Sequence, residues 1–155
     1  MLPSKVKSIT KGQALLLMFL LASLPLVHSQ TDPGEEEAIS FVGLTLSELI
    51  SRFGVPQFVY AARGLEDWQD DVVFVYEQGN FYIYRDRVWQ VGIRSIRGIN
   101  TGDPQGVVSL IMGSNAVDRG SSMFYPLHVR PWPLMLRWDF ENGRVQSIFI
   151  YRADF

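Results

Sequence analysis

The sequence predicts an α+β protein in which two tandem helix-plus-antiparallel-hairpin repeats form a continuous curved sheet with helices on one face. Two short helical segments end at glycines, Gly54 and Gly113, and alternating apolar strands follow each of them. The two hairpins overlay without a gap at a shift of 57 residues. Such self-similarity is typical of a duplicated supersecondary unit. A chain of 155 residues suits one compact domain, and we divide it into repeats at 41–96 and 97–155.

The first helix has a start signal and a stop signal. Thr45 and Glu48 have the spacing of a capping box, in which each side chain satisfies the other residue's backbone amide. A helical apolar stripe runs from Leu46 to Phe53. Gly54 and Pro56 then end the helix.

The remaining elements of the first repeat are an irregular stretch and three strands. Residues 58–71 have no clear period and become acidic at their end, whereas β-branched and aromatic residues predict a strand over 72–76. Further strands are predicted at 81–85 and 88–94, as a hairpin about Asp86-Arg87.

The second repeat follows the same order. Asp103 is predicted to cap a helix that has Pro104 at its first position. A short strand is expected over 123–125, and a hairpin over 134–140 and 145–152.

The overlay assigns side chains to the two faces of the sheet, because successive strand residues point to opposite sides. The helix-covered core face is predicted to carry Phe81, Ile83, Val91, Ile93, Trp138, Phe140, Ile148 and Ile150. The opposite face is predicted to carry Tyr82, Tyr84, Gln90, Arg94, Arg137, Asp139, Phe149 and Tyr151.

The N-terminus has the order of a secretory signal. Three lysines precede an apolar run that is too short to span a bilayer, and a cleavage site follows at Ser29. We expect cleavage there, with an uncleaved anchor as the alternative, and an exported protein, periplasmic or extracellular. Residues 30–40 are predicted to be an acidic flexible leader.

Charge and composition exclude several function classes. Loss of residues 1–29 removes three lysines and no acid, so the formal charge changes from −2 to −5. That balance excludes a nucleic-acid binder held by a basic field. The chain has no cysteine, which excludes disulfides, thiolate metal sites and an N-terminal lipidated cysteine.

No catalytic, metal or cofactor site is predicted. His128 is the one histidine after residue 29, and no nucleophile motif surrounds the nearby serines. Four carboxylates lie between Glu66 and Asp71, but they lack the ligand spacing and glycine of a calcium loop. We interpret them as a solvated loop.

The outer sheet face is instead the candidate binding surface. The predicted partner-binding residues are Tyr82, Tyr84, Arg94, Trp132, Arg137, Phe149 and Tyr151. Tyrosine, tryptophan and arginine are enriched in protein interfaces. Trp132 lies between two prolines and is either displayed as an anchor or buried at the sheet edge. The alternative for the face as a whole is that residues 114–133, or a second copy of the chain, cover it.

The first repeat resembles a known pattern. It consists of the motif Gly43-Leu44-Thr45 through Phe53-Gly54-Val55-Pro56, then aromatic strands, then Asp86-Arg87-Val88-Trp89-Gln90-Val91. It is similar to the superfamily that joins β-lactamase inhibitory proteins with the BamE/SmpA-type components of outer-membrane assembly. The resemblance covers about residues 41–152 and implies a noncatalytic protein-binding module. The missing cysteine departs from both branches, since one has a lipidated cysteine and the other has disulfides.

We therefore expect an exported protein that binds another protein of unknown identity through its sheet face. Two alternatives remain open at this point, an envelope or outer-membrane assembly factor and a periplasmic binder of small ligands. An apolar pocket where the repeats meet would favour the second alternative.

Overall fold

The computed structural model describes residues 34–63 and 71–154, and within them the chain is α+β, as predicted. Its helices are α1 (Glu35–Phe41), α2 (Leu46–Phe53) and α3 (Gln105–Met112). Its strands are β1 (Phe58–Ala62), β2 (Asp71–Tyr76), β3 (Gly79–Tyr84), β4 (Arg87–Ile93), β5 (Ser95–Ile96), β6 (Ile99–Asn100), β7 (Val117–Asp118), β8 (Ser122–Leu127), β9 (Leu134–Glu141) and β10 (Arg144–Arg152).

Eight strands form one antiparallel sheet in the order β1-β2-β3-β4-β10-β9-β8-β7. The continuous sheet predicted from the sequence is confirmed. Its centre is the pairing of β4 with β10, in which Val91 lies opposite Ile150. Strands β5 and β6 form a separate two-stranded ribbon, which lies between β4 and α3 in the order of the chain.

The core lies between one face of this sheet and the helices. The fully buried Phe81 and Trp138 share a single apolar cluster with Phe41, Leu49 and Val108 from the three helices. Of the eight residues assigned to this face by alternation, seven are buried and Phe140 is partly buried. Burial of these large apolar side chains is the main force that holds helices against sheet.

The leader prediction is wrong over residues 35–40, because Glu35–Phe41 is a helix. Its acids occupy the first helical turn, where the helix dipole favours negative charge. Ala38 and Phe41 are fully buried in the core. Glu35 accepts two hydrogen bonds of 2.6 Å from Arg97 in the turn between β5 and β6, and the Arg97 guanidinium lies 4.7 Å from the centre of the Tyr125 ring.

Three further predictions need correction in detail. Residues 58–62, predicted to be irregular, form the edge strand β1. The first hairpin turns at Arg85-Asp86, one residue before the predicted position. At the start of α3 the N-cap is Pro104, while the carboxylate of Asp103 accepts a hydrogen bond from the Asn100 amide.

The hairpins β3–β4 and β9–β10 have the same backbone irregularities at the same relative positions. Each contains a bulge, since Trp89 is an extra residue between Val88 and Gln90, and Gln146 is extra between Val145 and Ser147. Each turn has two residues with positive φ, which are Arg85-Asp86 and Asn142-Gly143.

Each hairpin is also joined in the same way to the segment before its helix. Arg87 donates a hydrogen bond to the Gly43 carbonyl at 2.9 Å, and Arg144 donates one to the Gly102 carbonyl at 2.8 Å. Both glycines have positive φ, 98° and 92°.

Within the described residues, no helix is both long and apolar enough to cross a membrane. The predicted signal at 1–29, the start of the leader and most of the acidic stretch 66–71 lie outside the described residues.

Candidate functional site

The outer face, which is the face of the eight-stranded sheet opposite the helices, carries a group of packed aromatic rings around one arginine. We call it the aromatic cluster, and its members are Tyr82, Trp89, Arg137, Phe149 and Tyr151. All five are partly buried. Four of them come from the sequence prediction, and Trp89 is an addition.

Strand register brings these residues together. Phe149 on β10 lies opposite Arg137 on β9 and opposite Gly92 on β4. Gln90 lies opposite both Tyr82 and Tyr151. Residues directly opposite one another are within side-chain contact, so the four strands at the centre of the sheet, β3, β4, β10 and β9, supply one continuous surface.

Gly92 makes the close ring packing possible. A Cβ atom at this position would lie 3.2 Å from Cε1 of Phe149, which is tighter than an ordinary contact. The missing side chain lets the Phe149 ring lie over the β4 backbone and reach Tyr82, whose ring centre is 6.0 Å away in an edge-on arrangement. Edge-to-face packing is a favourable geometry for aromatic pairs.

Arg137 stacks on two of the rings. Its guanidinium carbon is 4.5 Å from the centre of Phe149 and 5.6 Å from the centre of Tyr151. Cations within about 6 Å of a ring centre are attracted by the negative face of the ring. The stacked guanidinium is therefore fixed in orientation at the middle of the cluster.

Asp139 holds Arg137 from the side. Its Oδ1 lies 3.2 Å from Nε of Arg137, an ion pair whose angle lies outside hydrogen-bond geometry. The hydroxyl of Ser122 donates to Asp139 at 2.7 Å, and that of Ser147 donates at 3.3 Å. These contacts fix the carboxylate, and the carboxylate in turn limits the movement of the arginine.

Trp89 reaches the outer face because of the β4 bulge. Strict alternation would place it on the core face with Val91, but the extra residue changes its direction. Its ring centre lies 6.5 Å from that of Tyr151, and its Nε1 donates a 2.9 Å hydrogen bond to Asp71. Sequence alternation gives no sign of this bulge, which is why Trp89 was absent from the prediction.

Burial changes the acidity of two phenols in the cluster. Desolvation, with a smaller contribution from neighbouring Tyr60, raises the pKa of Tyr82 to about 12. Burial also raises the pKa of Tyr151. Both hydroxyls therefore keep their protons to a higher pH than an exposed tyrosine does.

The other three predicted site residues lie away from this cluster or at its margin. Tyr84 is at the end of β3, where the Arg85 guanidinium carbon is 5.2 Å from its ring centre. Arg94 follows the last residue of β4 and is exposed.

Trp132 follows the buried alternative, because its ring packs against the helix-side core, and its inclusion among the partner-binding residues is therefore wrong. Its Cζ2 is the atom nearest to a Cβ built at Gly43, at 3.7 Å. The guanidinium of Arg152 lies 5.3 Å from its ring centre. The short tetrapeptide with flanking prolines gave no information on which side of the sheet the ring would pack.

Residues 114–133 do not form a cover over the outer face, since β8 within this segment extends the sheet beside β9. His128 is exposed. Among residues 34–63 and 71–154, no three His, Asp or Glu side chains are grouped so that they could hold a metal ion.

Comparison with known proteins identifies no family for this chain. No protein-family model matches it, and no curated protein matches it significantly. One solved structure with some similarity is that of an extracellular protein containing an SCP domain from Bacillus anthracis strain Ames. It has 12% sequence identity and a TM-score of 0.47, over 83% of this chain and 48% of that one. The chain therefore spans about half the length of that protein.

Proposed function

We propose that this protein is an exported, noncatalytic binding module that holds a partner protein on its outer sheet face. The observation that carries the proposal is the aromatic cluster, in which partly exposed rings surround an arginine fixed by stacking and by Asp139. Tyrosine, tryptophan and arginine contribute most to the energy of protein interfaces. Because these side chains are already ordered in the free protein, they lose little conformational entropy when a partner binds.

The mixed polarity of the cluster favours a partner protein over a small apolar ligand. The rings offer apolar area, while Arg137 and the tyrosine hydroxyls offer directed hydrogen-bond donors at the same place. A protein interface has this composition, with aromatic residues at its centre and polar groups around them. Since Arg137 is positively charged, we expect an acidic or carbonyl oxygen of the partner to lie above the cluster.

We further propose that the two halves of the domain arose by duplication of one helix-plus-sheet unit. The matching bulges at Trp89 and Gln146 support it, because a bulge at the same relative position is rarely shared by unrelated hairpins. The matched hydrogen bonds from Arg87 and Arg144 support it too. A duplicated helix-plus-sheet unit is also what the resemblance to the β-lactamase inhibitory protein and BamE/SmpA superfamily implies.

The test is capture by the tagged chain 30–155 from the source organism's envelope extract or culture medium. The site variant carries Tyr82→Ser together with Tyr151→Ser, and the matched control is Leu110→Ser, a highly exposed position on α3. We expect the control to retain the proteins captured by the wild type, and the site variant to lose them while its thermal midpoint stays near that of the wild type. Equal capture by both variants would contradict the proposed surface. Unfolding of the site variant would show that the outer face is structural.

A further inference from the structure

The two edges of the eight-stranded sheet are very different. The β7 edge is a strand of only two residues, Val117–Asp118, and it contains a charge. The β1 edge is five residues long, Phe58–Ala62, and contains no charge. Natural proteins shorten or charge their sheet edges to prevent pairing with other chains. By this measure the β7 edge is protected and the β1 edge is open.

The side chains of β1 are also unusually exposed for apolar residues. Phe58 is 69% exposed, Val59 51% and Tyr60 45%. Val72, on the neighbouring strand, is 44% exposed. Phe58 and Tyr60 lie on the outer face and Val59 and Val72 on the helix side, so apolar groups are exposed on both faces beside this edge. The backbone groups of the edge have no further strand beside them among the described residues.

We propose that β1 pairs antiparallel with β1 of a second copy of this chain, which joins two eight-stranded sheets across a two-fold axis at Tyr60. Pairing through an exposed edge strand satisfies the backbone donors and acceptors that the edge leaves open. An isologous interface of this kind needs a surface that is complementary to itself.

The order of large and small residues in β1 provides that complementarity. Pairing about Tyr60 places Phe58 of each copy opposite Ala62 of the other copy. It likewise places Val59 opposite Ala61, so each large side chain faces a small one. The two Tyr60 residues lie directly opposite each other at the axis, on the outer face of the joined sheets, and an aromatic pair is among the favourable cross-strand contacts.

Charge also fits a second copy. The same register places Arg63 of each copy opposite Gln57 of the other copy, rather than opposite a second arginine. Gln57 itself is held in the sheet, since its backbone amide donates a 2.8 Å hydrogen bond to the Val75 carbonyl. The interface is small, so we expect weak association, with a Kd on the order of tens of micromolar.

Sedimentation velocity of residues 30–155 over a range of concentrations is the first measurement. The variant Tyr60→Lys places two like charges directly opposite one another and removes the aromatic pair, so we expect Kd to rise at least about tenfold. The matched control, Val117→Lys on the β7 edge, should leave Kd unchanged. A wild type that stays monomeric, or a dimer that Tyr60→Lys does not weaken, overturns the proposal. If the wild type is monomeric, the remaining candidate to pair with this edge is an extended segment of another protein.

Cysteine cross-linking tests the register independently of the lysine variant, and the natural chain contains no cysteine to interfere. Tyr60→Cys should give a disulfide-linked dimer on mild oxidation, since residues directly opposite in antiparallel strands have Cα atoms about 4.5–5.5 Å apart. Ala62→Cys alone should not, because its two copies would be about 13 Å apart. Ala62→Cys mixed with Phe58→Cys should cross-link again. Equal cross-linking of Tyr60→Cys and Ala62→Cys overturns the register.

Discussion

The hairpins β3–β4 and β9–β10 share one backbone plan but differ in the residues that occupy it. Both have a bulge and a two-residue turn with positive φ at corresponding positions. The bulged residue is Trp89 in one and Gln146 in the other, and Gly92 in one corresponds to Phe149 in the other. The two hairpins therefore agree in their core side chains and backbone irregularities and differ on the outer face, where they make a surface with unlike halves.

The largest expected effect tests whether Phe81 and Trp138 occupy equivalent core sites. Both side chains are fully buried, so Phe81→Ala and Trp138→Ala should each lower the free energy of unfolding by about 3–5 kcal/mol. Chemical denaturation followed by circular dichroism measures this. Either variant with wild-type stability would break the correspondence.

A conservative variant sharpens the same comparison. Nε1 of Trp138 is buried without a hydrogen-bond partner among the described residues, whereas Phe81 carries no polar atom. Trp138→Phe removes this unpaired donor and keeps most of the ring. We therefore expect a loss below about 1.5 kcal/mol.

The next effect concerns Gly92 and Phe149. They occupy the same position in the two hairpins, and they also lie opposite each other where β4 pairs with β10. Gly92→Val should lower the free energy of unfolding by about 1–3 kcal/mol, because its side chain would displace the Phe149 ring. The matched control is Gly106→Ala in α3, where a Cβ meets no atom within 4 Å. That change should raise stability by up to about 1 kcal/mol, since glycine is a poor helix former. A stable Gly92→Val variant would show that Phe149 does not need the space above β4.

The two turns should differ in strain. Asn-Gly is the preferred pair for a turn with two positive φ angles, whereas Arg85 and Asp86 have Cβ atoms that crowd the backbone there. The double change Arg85→Asn with Asp86→Gly should raise the free energy of unfolding by about 1–2 kcal/mol. The reverse exchange, Asn142→Arg with Gly143→Asp, should lower it by a similar amount. Thermal denaturation of both variants tests the prediction, and two changes of the same sign would refute it.

The helices differ in their caps. Thr45 caps α2 and accepts a hydrogen bond from the Glu48 amide, whereas Pro104 at the start of α3 has no side-chain cap. Thr45→Ala should lower the free energy of unfolding by about 1 kcal/mol. The matched change Pro104→Ala should lower the free energy of unfolding by less than Thr45→Ala does. Denaturant titration of the two variants decides between them, and an equal loss would mean that the Thr45 cap contributes nothing of its own.

The smallest expected effect is a pH dependence of stability that comes from the cap of α2 and has no counterpart in α3, which contains no acidic residue. Hydrogen bonds from the Thr45 amide and then its hydroxyl hold the pKa of Glu48 below its usual value. A lowered pKa stabilises the fold above the unfolded pKa, and the stabilisation is lost as pH falls through the folded pKa. Glu48→Gln should therefore be less stable than the wild type at neutral pH, and the difference should shrink in acid. A difference that is constant with pH would contradict this cause.

The sequence predicted best what short-range patterns determine. The Thr45–Glu48 box, the glycine stop at Gly54 and the alternation of Phe81, Ile83 and Val91 depend on neighbouring residues, and the structure has all of them. The bulge at Trp89 depends on the pairing of two strands, so alternation along one strand could not reveal that this side chain belongs to the outer face. Helix α1 was missed because its acidic first turn is polar, and its buried residues, Ala38 and Phe41, acquire a partner surface only in the folded domain.

The salt bridge between Glu35 and Arg97 joins residues that are 62 positions apart. In a chain that crosses a membrane from its N-terminus, Glu35 would emerge long before Arg97, and Tyr125 would follow later still. The Phe41 ring of α1 would find Phe53 and Phe81 earlier, but the ion pair at the start of the helix would form only after Arg97 had emerged. Contacts this distant in sequence slow folding, so this ion pair would be among the last contacts to lock α1 onto the domain.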